Sequence, residues 1–573
     1  MTTETEHKQL SEGLQKLFSQ RESFIVIGLT GRTGSGCTTA ADLLAKNISG
    51  LALPPAKNPL ATNDDRKYSI VLEWVKAKWK PFTRIRVGSL IFYFLSRIPE
   101  TERNSIFNEL QIPIATNSAL SEFIAETSNK ASEFEWVING SNEGSDDEVC
   151  KAYQFFFTEL PELLTSFKKI LDTYPHGTYT ALMQQIGDNI RRSGSASCPN
   201  INPEKIFSLP LLINKLIKIA RRINKKTSNP DFFVIDAIRN PFEAAYFRER
   251  YSSFYLFGIT TDEISRHTRL NAQDYTDTEI TKLSEKEYPN ESNLKNYSFL
   301  VSQNIGKCLE VADIIIENKE TPLRENYQEL SITLVKYISL IQHPGLIPPS
   351  HTEQCMQVAL TAKLGSGCVS RQVGAAITDE SYSIKAIGWN STPEGQVPCI
   401  LRNVKRVADH TDKEAFSPFE LGDKKFRKAF DNIPQQKPSG HALEGRPLSY
   451  CFKSTYNATT KEKNQVHTRA LHAEENAFLQ LAKYGSSGIS GGYLFTTASP
   501  CELCAKKAYQ LGIKRIYFID PYPGISEQHI LGCGTKKPKV ELFTGALGRA
   551  YVQLYQPLVS PKDELDVLLK SSQ

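Results

Sequence analysis

The sequence of 573 residues predicts an α/β protein with two domains. In the first half, an apolar run at residues 24–29 precedes a glycine-rich turn and a helical pattern, the order in which a parallel sheet domain begins. In the second half, helical and strand patterns alternate, which indicates an α/β/α domain. We place the domains at residues 1–340 and 350–573, because the prolines of residues 343–350 stop the helix predicted before them.

Composition and charge narrow the class of protein. Hydrophobic residues make up 40% of the chain and charged residues 23%, as is ordinary for globular proteins. The net charge of +5 is too small to require a nucleic-acid partner. The chain has neither a long apolar stretch nor the apolar core of a secretory signal, so we expect no membrane association. Eleven scattered cysteines favour the reducing cytoplasm over a disulfide framework.

A glycine-rich loop follows the first predicted strand and has the length of a Walker A motif, with Cys37 where lysine is usual. Backbone N–H groups of the loop and of the next helix would cradle phosphates, and Thr38 would hold Mg²⁺. Asp236, at the end of another buried strand, fits the carboxylate that shares this ion. Without the lysine, nucleotide binding is favoured over turnover; a glycine turn without a ligand is the alternative. The predicted nucleotide-binding residues are Gly31, Gly34, Ser35, Gly36, Cys37, Thr38 and Asp236.

The rest of the first half carries two further buried strands, at residues 232–236 and 254–259, and a mostly helical insertion between residues 51 and 230. Arg239 and Arg266, together with Arg269, are candidates for a phosphate clamp. Arginines near helices are also common on protein surfaces, so this assignment stays open.

The most specific motif of the chain lies in the second half. His472 and Glu474, followed by Cys501 and Cys504 after a proline, match the H-x-E…P-C-x-x-C signature of zinc nucleobase deaminases. One imidazole and two thiolates leave the fourth tetrahedral position of a zinc ion to water, as in catalytic sites. Both cysteines lie at the start of a predicted helix, where the helix dipole favours thiolate. The alternative, a purely structural zinc, normally has a fourth protein ligand, which the nearby sequence lacks.

The motif also assigns the chemistry. Zinc held by His472, Cys501 and Cys504 supplies an activated water at neutral pH. Glu474 is the predicted catalytic residue: it would take a proton from this water, protonate the cytosine ring and help ammonia to leave.

The motifs of the second domain together resemble the deoxycytidylate deaminase family. The resemblance rests on residues 371–375, 388–393, 472–474 and 501–504. It implies a cytidine-deaminase-like fold, Zn²⁺ as cofactor and deoxycytidine nucleotides as substrates. Because members of this family are commonly oligomers, it also implies a homo-oligomer.

Three substrate-binding residues are expected besides the metal site. The resemblance implies that Asn390 contacts the sugar hydroxyl, although a turn residue is the alternative. Arg371 is a candidate phosphate contact, with a solvated arginine as the competing interpretation. Tyr522 is a candidate neighbour of the base, and turn chemistry explains it equally well.

Residues 391–471 form an insert that is longer than a plain deaminase needs. Its side chains are either part of a substrate lid or, as in some deaminases of this family, ligands of a second, structural zinc. The candidate ligands in the insert are Cys399, His410, His441, Cys451 and His467.

A P-loop NTPase or kinase-like domain ahead of a deoxycytidylate deaminase domain resembles bacterial antiphage cytidine-nucleotide deaminases of the AvcD/DcdV type. The resemblance implies deamination of dCTP and dCMP during phage infection, which depletes cytosine deoxynucleotides. It also implies control through the N-terminal domain, by a nucleotide effector or, in some systems, a small RNA. The alternatives are a housekeeping dCMP deaminase, a deaminase of bases within nucleic acids, and a kinase with a structural deaminase half. The near-neutral charge disfavours the second and Cys37 disfavours the third.

Overall fold

The chain forms two compact units. One unit consists of Met1–Pro348 with Arg549–Gln573, and the other of Pro349–Gly548. The division after Pro348 lies in the proline-rich junction, but residues 549–573 group with the first unit, whereas the sequence-based division placed them with the second. The computed structural model describes residues 2–112, 118–139, 144–174, 177–288, 301–319, 327–408, 411–432, 443–462, 464–485, 488–521 and 524–571.

The first unit is built on a parallel sheet. Its strands are β1 (Phe24–Thr30), β2 (Thr83–Ile85), β3 (Asp231–Ile235), β4 (Phe254–Thr260) and β5 (Ile314–Glu317). They lie in the order β5-β4-β1-β3-β2, and each neighbouring pair is parallel. The α-helices before, between and after these strands are α1 (Thr2–Ser23), α2 (Cys37–Leu44), α3 (Asn63–Lys78), α4 (Val87–Arg97), α5 (Glu100–Glu109), α6 (Ser118–Ser132), α7 (Glu135–Asn139), α8 (Asp146–Gln154), α9 (Leu160–Leu171), α10 (Thr178–Ser193), α11 (Ser208–Thr227), α12 (Pro241–Arg250), α13 (Glu263–Asn271), α14 (Asp277–Glu287), α15 (Ile305–Glu310) and α16 (Gln328–Gln342).

The apolar runs of the sequence explain this sheet. Strands of a parallel sheet are covered on both faces, so they read as continuous hydrophobic runs. All seven residues of β4 are buried, and all but the first residues of β1 and β3 are buried. The three predicted strands are therefore confirmed to within one residue at each end. Within the described part of residues 51–230, the predicted helical insertion is also confirmed, apart from the short strand β2.

The second unit contains a mixed sheet. Its strands are β6 (Gly374–Thr378), β7 (Ile384–Trp389), β8 (Tyr493–Ala498), β9 (Arg515–Asp520) and β10 (Lys539–Leu542). They lie in the order β10-β9-β8-β6-β7, with β6 antiparallel to both neighbours and β8, β9 and β10 parallel. In chain order the elements of this part are α17 (His351–Lys363), β6 (Gly374–Thr378), β7 (Ile384–Trp389), α18 (Val404–Ala408), α19 (Pro418–Gly422), α20 (Lys424–Asn432), α21 (Phe452–Thr460), α22 (Ala473–Tyr484), β8 (Tyr493–Ala498), α23 (Glu502–Gln510), β9 (Arg515–Asp520), β10 (Lys539–Leu542) and β11 (Gly545–Ala546). Helices α24 (Gly548–Tyr555) and α25 (Pro561–Ser571) follow.

Helices cover both faces of the mixed sheet. A Cβ atom on Gly374 would lie 2.0 Å from the carbonyl oxygen of Ala359, so α17 approaches β6 on that face. Ala375, the next residue, points to the opposite face and belongs to a core cluster with Ala477 of α22 and Ala505 of α23. The second unit therefore has three layers, with the sheet between two layers of helices, as the sequence predicts.

Gly388 sets the distance between β7 and α22. A Cβ atom there would lie 2.2 Å from the carbonyl oxygen of Ala473 and 2.6 Å from the nitrogen of Ala477. Backbone atoms cannot yield to such a contact, so the start of α22 reaches its place only because this strand residue has no side chain.

The insert between β7 and α22 has a small core of its own. Six buried residues form it: Val404, Val407, Ala415, Phe416, Phe426 and Tyr450. The guanidinium of Arg402 lies 4.5 Å from the centre of the Phe416 ring and forms a close ion pair with the buried Glu420. Arg469, three residues before His472, also binds Glu420, at 3.0 Å. The insert is thereby tied to the segment that delivers the histidine.

Within the described ranges, no helix combines the length and the apolar character that crossing a bilayer requires.

Candidate metal centre and glycine-rich loop

His472 stands at the N-terminus of α22. A single β-bridge between Ser391 and Leu471 fixes the residue before it, and the carboxylate of Glu475 accepts a hydrogen bond from the His472 backbone at 3.4 Å. Glu475 also forms a close ion pair with Lys507 of α23. Because Cys504 lies one turn earlier on α23, this ion pair joins the helix that follows the histidine to the helix that carries the cysteine.

The two cysteines stand at the start of α23. Cys501 is the residue before the first helical turn, and Cys504 lies within that turn. The carbonyl oxygen of Pro500 accepts a hydrogen bond of 2.7 Å from the buried Ser526 hydroxyl, which holds the turn between β8 and α23. The sequence placed both cysteines at the start of a helix, and the structure confirms this.

The three predicted ligands converge. The Nδ1 atom of His472 lies 3.2 Å from the sulfur of Cys501 and 3.4 Å from that of Cys504, and all donor atoms lie within 4.8 Å of one another. With bonds of about 2.3 Å to sulfur and about 2.05 Å to nitrogen, a tetrahedral zinc separates sulfur from nitrogen by about 3.5 Å. Both cysteines are buried and the histidine is half-buried. The donor set therefore fits a zinc ion.

The cysteine sulfurs differ in protonation. Hydrogen bonds from Cys504 and then from His472 lower the pKa of Cys501 to about 4, against the opposing effect of burial. The contact with Cys501, together with burial, raises the pKa of Cys504. The same contact raises the pKa of His472. Cys501 is therefore the sulfur of this pair that loses its proton more easily.

Glu474 lies beside this trio in the first turn of α22. Its side chain is only 4% exposed, and its Oε1 atom accepts a hydrogen bond of 3.4 Å from the hydroxyl of Thr496 on β8. Burial raises the pKa of Glu474 above the value of an exposed glutamate. A buried carboxyl group that exchanges a proton easily beside a metal site is suited to acid–base catalysis.

Asn390 lies at the end of β7 and its side chain is engaged. Its Oδ1 atom accepts hydrogen bonds of 2.7 Å from both the Ser366 hydroxyl and the Val373 backbone. Its Nδ2 atom donates to the carbonyl oxygen of Arg371 at 2.6 Å. Asn390 therefore holds the segment before β6 in place, a role that the sequence did not reveal.

Of the other two predicted substrate contacts, Arg371 forms a close ion pair with Asp520 at the end of β9. The Arg371 side chain is 28% exposed, so the guanidinium remains accessible. Tyr522 lies outside the described residues.

In the first unit, the glycine-rich loop connects β1 to α2 and its glycines are used structurally. Gly34 and Gly36 have φ angles of +88° and +106°, a region that residues with a side chain rarely adopt. A Cβ atom on Gly31 would lie 2.3 Å from the carbonyl oxygen of Ile259 on β4. Ser35 is buried, Thr38 is exposed, and burial raises the pKa of Cys37 to about 11. The cysteine at the lysine position is therefore an uncharged thiol.

Asp236 follows β3, next to β1 in the sheet. Its carboxylate accepts hydrogen bonds from Arg84, at 2.8 Å and 3.2 Å, and from the backbone of Val87, at 2.9 Å. It also acts electrostatically on the Cys37 thiol, which is consistent with a position near the loop.

The described residues contain one group of at least three side chains placed to hold a metal ion, namely His472, Cys501 and Cys504. The described candidates for a second zinc, Cys399, Cys451 and His467, do not form such a group. His410 and His441 lie outside the described ranges.

Comparisons with known proteins bear on the second unit. Residues 349–520 match the model of the cytidine and deoxycytidylate deaminase zinc-binding region. The deoxycytidylate deaminases of Enterobacteria phages T4 and T2 are each 29% identical over 174 residues, which is 29% of this chain and 76% and 78% of the phage proteins. The crystal structure of the dCMP deaminase from cyanophage S-TIM5 with dCMP and dUMP is 23% identical, covering 34% of this chain and 99% of that chain with a TM-score of 0.21. The family match and the curated relatives confirm the predicted deoxycytidylate deaminase domain in the second half of the chain.

Proposed function

We propose that this protein is a zinc-dependent hydrolase that converts dCMP and dCTP to dUMP and dUTP. The observation that carries the proposal is the convergence of His472, Cys501 and Cys504, with the buried Glu474 beside them. Three protein ligands leave a coordination position open to water, and a structural site would have no use for the carboxyl group. The relatives are deoxycytidylate deaminases by name, which supports a free deoxynucleotide as substrate.

When bound, zinc supplies an activated water and withdraws charge from it. Glu474 accepts the proton of this water and delivers it to N3 of the cytosine ring, while the water oxygen bonds to C4. Glu474 then moves the remaining proton of this oxygen to the amino group, so the C4–N4 bond breaks and the oxygen becomes the C4 carbonyl. One water is consumed, and uracil and ammonia are the products.

The substrate is oriented by residues around β6 and β7. Asn390 fixes the segment of residues 366–373, and we propose that it also contacts the sugar hydroxyl of the substrate. Arg371 serves the phosphate, in exchange with its present partner Asp520. For Tyr522, which lies outside the described residues, contact with the base stays the prediction made from the sequence.

The direct test is a deamination assay on the purified full chain with dCMP, dCTP and a cytosine-containing DNA oligonucleotide. We expect ammonia and the deoxyuridine nucleotide from the free nucleotides, and no uracil in the oligonucleotide. Activity on the oligonucleotide alone, falling steeply with salt, would instead support the alternative of a nucleic-acid base deaminase. Activity on dCMP but not dCTP would favour the housekeeping alternative.

We further propose that the first unit binds a nucleotide with Mg²⁺ at its glycine-rich loop and thereby controls the deaminase. The proposed ligand-binding residues are Gly31, Gly34, Ser35, Gly36, Cys37, Thr38 and Asp236. In the cell, this control would restrict the loss of cytosine deoxynucleotides to phage infection, with a nucleotide or a small RNA as the signal. We place the protein in the cytoplasm as a homo-oligomer; the eleven free cysteines are consistent with a reducing compartment.

Replacing Gly36 by alanine tests the proposed control. The new Cβ would lie 2.3 Å from Nδ2 of Asn318 at a φ of +106°, so the loop must distort. We expect the dCMP deamination rate of the wild type to change on addition of ATP or dTTP, and that of Gly36→Ala to stay constant, with equal zinc content. Gly13→Ala is the control, because a Cβ there meets no atom within 4 Å. Identical responses of all three proteins would contradict control through the loop.

A further inference from the structure

Beside the glycine-rich loop, three arginines surround one buried glutamate. Arg32 belongs to the loop, Arg239 follows β3, Arg266 lies on α13, and Glu287 is the last residue of α14. The nearest nitrogens of the three guanidinium groups lie 3.8, 3.5 and 3.6 Å from the Glu287 carboxylate, in that order. The side chain of Glu287 has no exposed surface and that of Arg266 only 1%. We call the three arginines the arginine cage, and Glu287 is the carboxylate that it encloses.

The carboxylate in the cage lies directly on the loop. Oε1 of Glu287 accepts a hydrogen bond of 2.7 Å from the backbone N–H of Thr33 and one of 2.6 Å from its hydroxyl. Backbone N–H groups of glycine-rich loops before a helix are donors to phosphate oxygens in many proteins. In this protein the carboxylate of Glu287 accepts the hydrogen bond of one such donor, the backbone N–H of Thr33.

The carboxylate does not satisfy the cage. Oε2 of Glu287, Nε of Arg32, Nη1 of Arg239 and Nη2 of Arg266 are all buried without a hydrogen-bond partner. Buried donors are rarely left in this state. A planar carboxylate with two oxygens is too small to reach three guanidinium groups that approach it from different elements.

The cage and its carboxylate together also carry more positive than negative charge. Three guanidinium groups face one buried carboxylate; Glu263, the other acid on Arg32 and Arg266, is 59% exposed and largely solvated. A phosphoryl group has a charge of about −1.5 to −2 and three acceptor oxygens. It therefore matches the cage in charge and in the number of acceptors better than the carboxylate does.

The cage also provides the positive charge that the loop lacks. Cys37 stands at the lysine position as a neutral thiol. The positive charge of Arg239 favours the thiolate form of Cys37 and so opposes the effect of burial on its pKa.

The backbone carbonyl groups of the loop accept hydrogen bonds from neighbouring side chains, which fix their orientation. Nε of Arg266 donates to the carbonyl oxygen of Thr33 at 2.9 Å. Nη1 of Arg269 donates to that of Gly34 at 3.1 Å, and Nδ2 of Asn318 to that of Ser35 at 3.0 Å. Fixed carbonyl groups prevent the repulsion that an incoming anion would otherwise meet.

We propose that Arg32, Arg239 and Arg266 form a binding site for a phosphoryl group, and that Glu287 is the internal anion which this ligand displaces. The inference rests on the proposed binding of a nucleotide by the first unit, and it adds a competitor to that site. Glu287 lowers the affinity for weak anions, because every ligand must first replace it. A ligand with several phosphates carries more negative charge than one carboxylate. Its attraction to the three arginines therefore exceeds the attraction that is lost when Glu287 is displaced.

Calorimetric titration of the full chain with inorganic triphosphate tests this competition. We expect Glu287→Gln to bind triphosphate about tenfold or more tightly than the wild type, and Arg239→Met about tenfold or more weakly. Arg221→Met is the control and should bind as the wild type does, since Arg221 pairs with Asp231 at the other end of β3.

Because Glu287→Gln leaves three arginines without their anion, its melting temperature is measured as well. Triphosphate should raise the melting temperature of Glu287→Gln by more than that of the wild type, while sodium chloride at equal ionic strength should not. Equal affinities of the wild type and Glu287→Gln would overturn the competition and leave nucleotide binding intact. Absence of binding by all variants would overturn both. Deamination of dCMP by the same samples reports separately on the zinc site.

Discussion

Replacing Glu474 by glutamine is expected to lower the rate of dCMP deamination by a factor of about 10²–10⁴ while the protein keeps its zinc. Glutamine has the size of glutamate and can keep the contact with Thr496, but it cannot transfer a proton. Glu474 is only 4% exposed, so bulk water has little access to replace its carboxyl group as a base. Steady-state kinetics and elemental analysis of the same preparation measure the two quantities.

Glu475→Gln is the matched control, because it makes the same chemical change on the neighbouring residue. Glu475 binds Lys507 and the His472 backbone and does not belong to the metal-ligand group. We expect a much smaller loss of activity, by about tenfold or less. If Glu475→Gln lost as much activity as Glu474→Gln, the loss would reflect a disturbed helix start, and proton transfer by Glu474 would lose its support.

Removal of the metal is expected to abolish deamination altogether. Dialysis against a chelator should yield inactive protein, and added Zn²⁺ should restore the rate. Because zinc binds the folded chain, its loss should also reduce stability, by about 2.7 kcal/mol for a free zinc concentration 100 times its Kd. Thermal unfolding with and without the chelator measures this reduction.

Cys504→Ser should reproduce the metal-free state, because a serine hydroxyl does not replace a thiolate ligand on zinc. Added Zn²⁺ should fail to restore its activity. Cys533→Ser is the control: this cysteine is exposed and lies outside the metal-ligand group, so the variant should keep zinc and turnover. Full activity of Cys504→Ser would exclude this cysteine from the metal site.

The metal ligands were predictable because their pattern is local. Cys501 and Cys504 lie one helical turn apart, so the C-x-x-C spacing places both sulfurs at one helix start. Residue 472 begins another helix, and the two helices share a face of the sheet. The buried strands of the first unit were predictable for a similar reason, since burial on both faces leaves an unbroken apolar run.

Contacts between distant segments were not predictable. The loop residue Thr33 and its partner Glu287 are separated by 254 positions, and a glutamate at a helix end normally indicates a solvated side chain. Asn390 was predicted as a substrate contact, but its bonds to Ser366 and Val373 depend on a turn that no short pattern encodes. The grouping of residues 549–573 with the first unit likewise depends on tertiary packing.

X-ray absorption spectroscopy at the zinc edge of the purified full chain tests whether His472, Cys501 and Cys504 hold a catalytic zinc ion. We expect one zinc per chain with two sulfur ligands, one imidazole nitrogen and one further light atom from solvent. A zinc with four protein ligands would indicate a structural site, and a protein that binds no zinc when supplied with it would contradict the proposed enzyme.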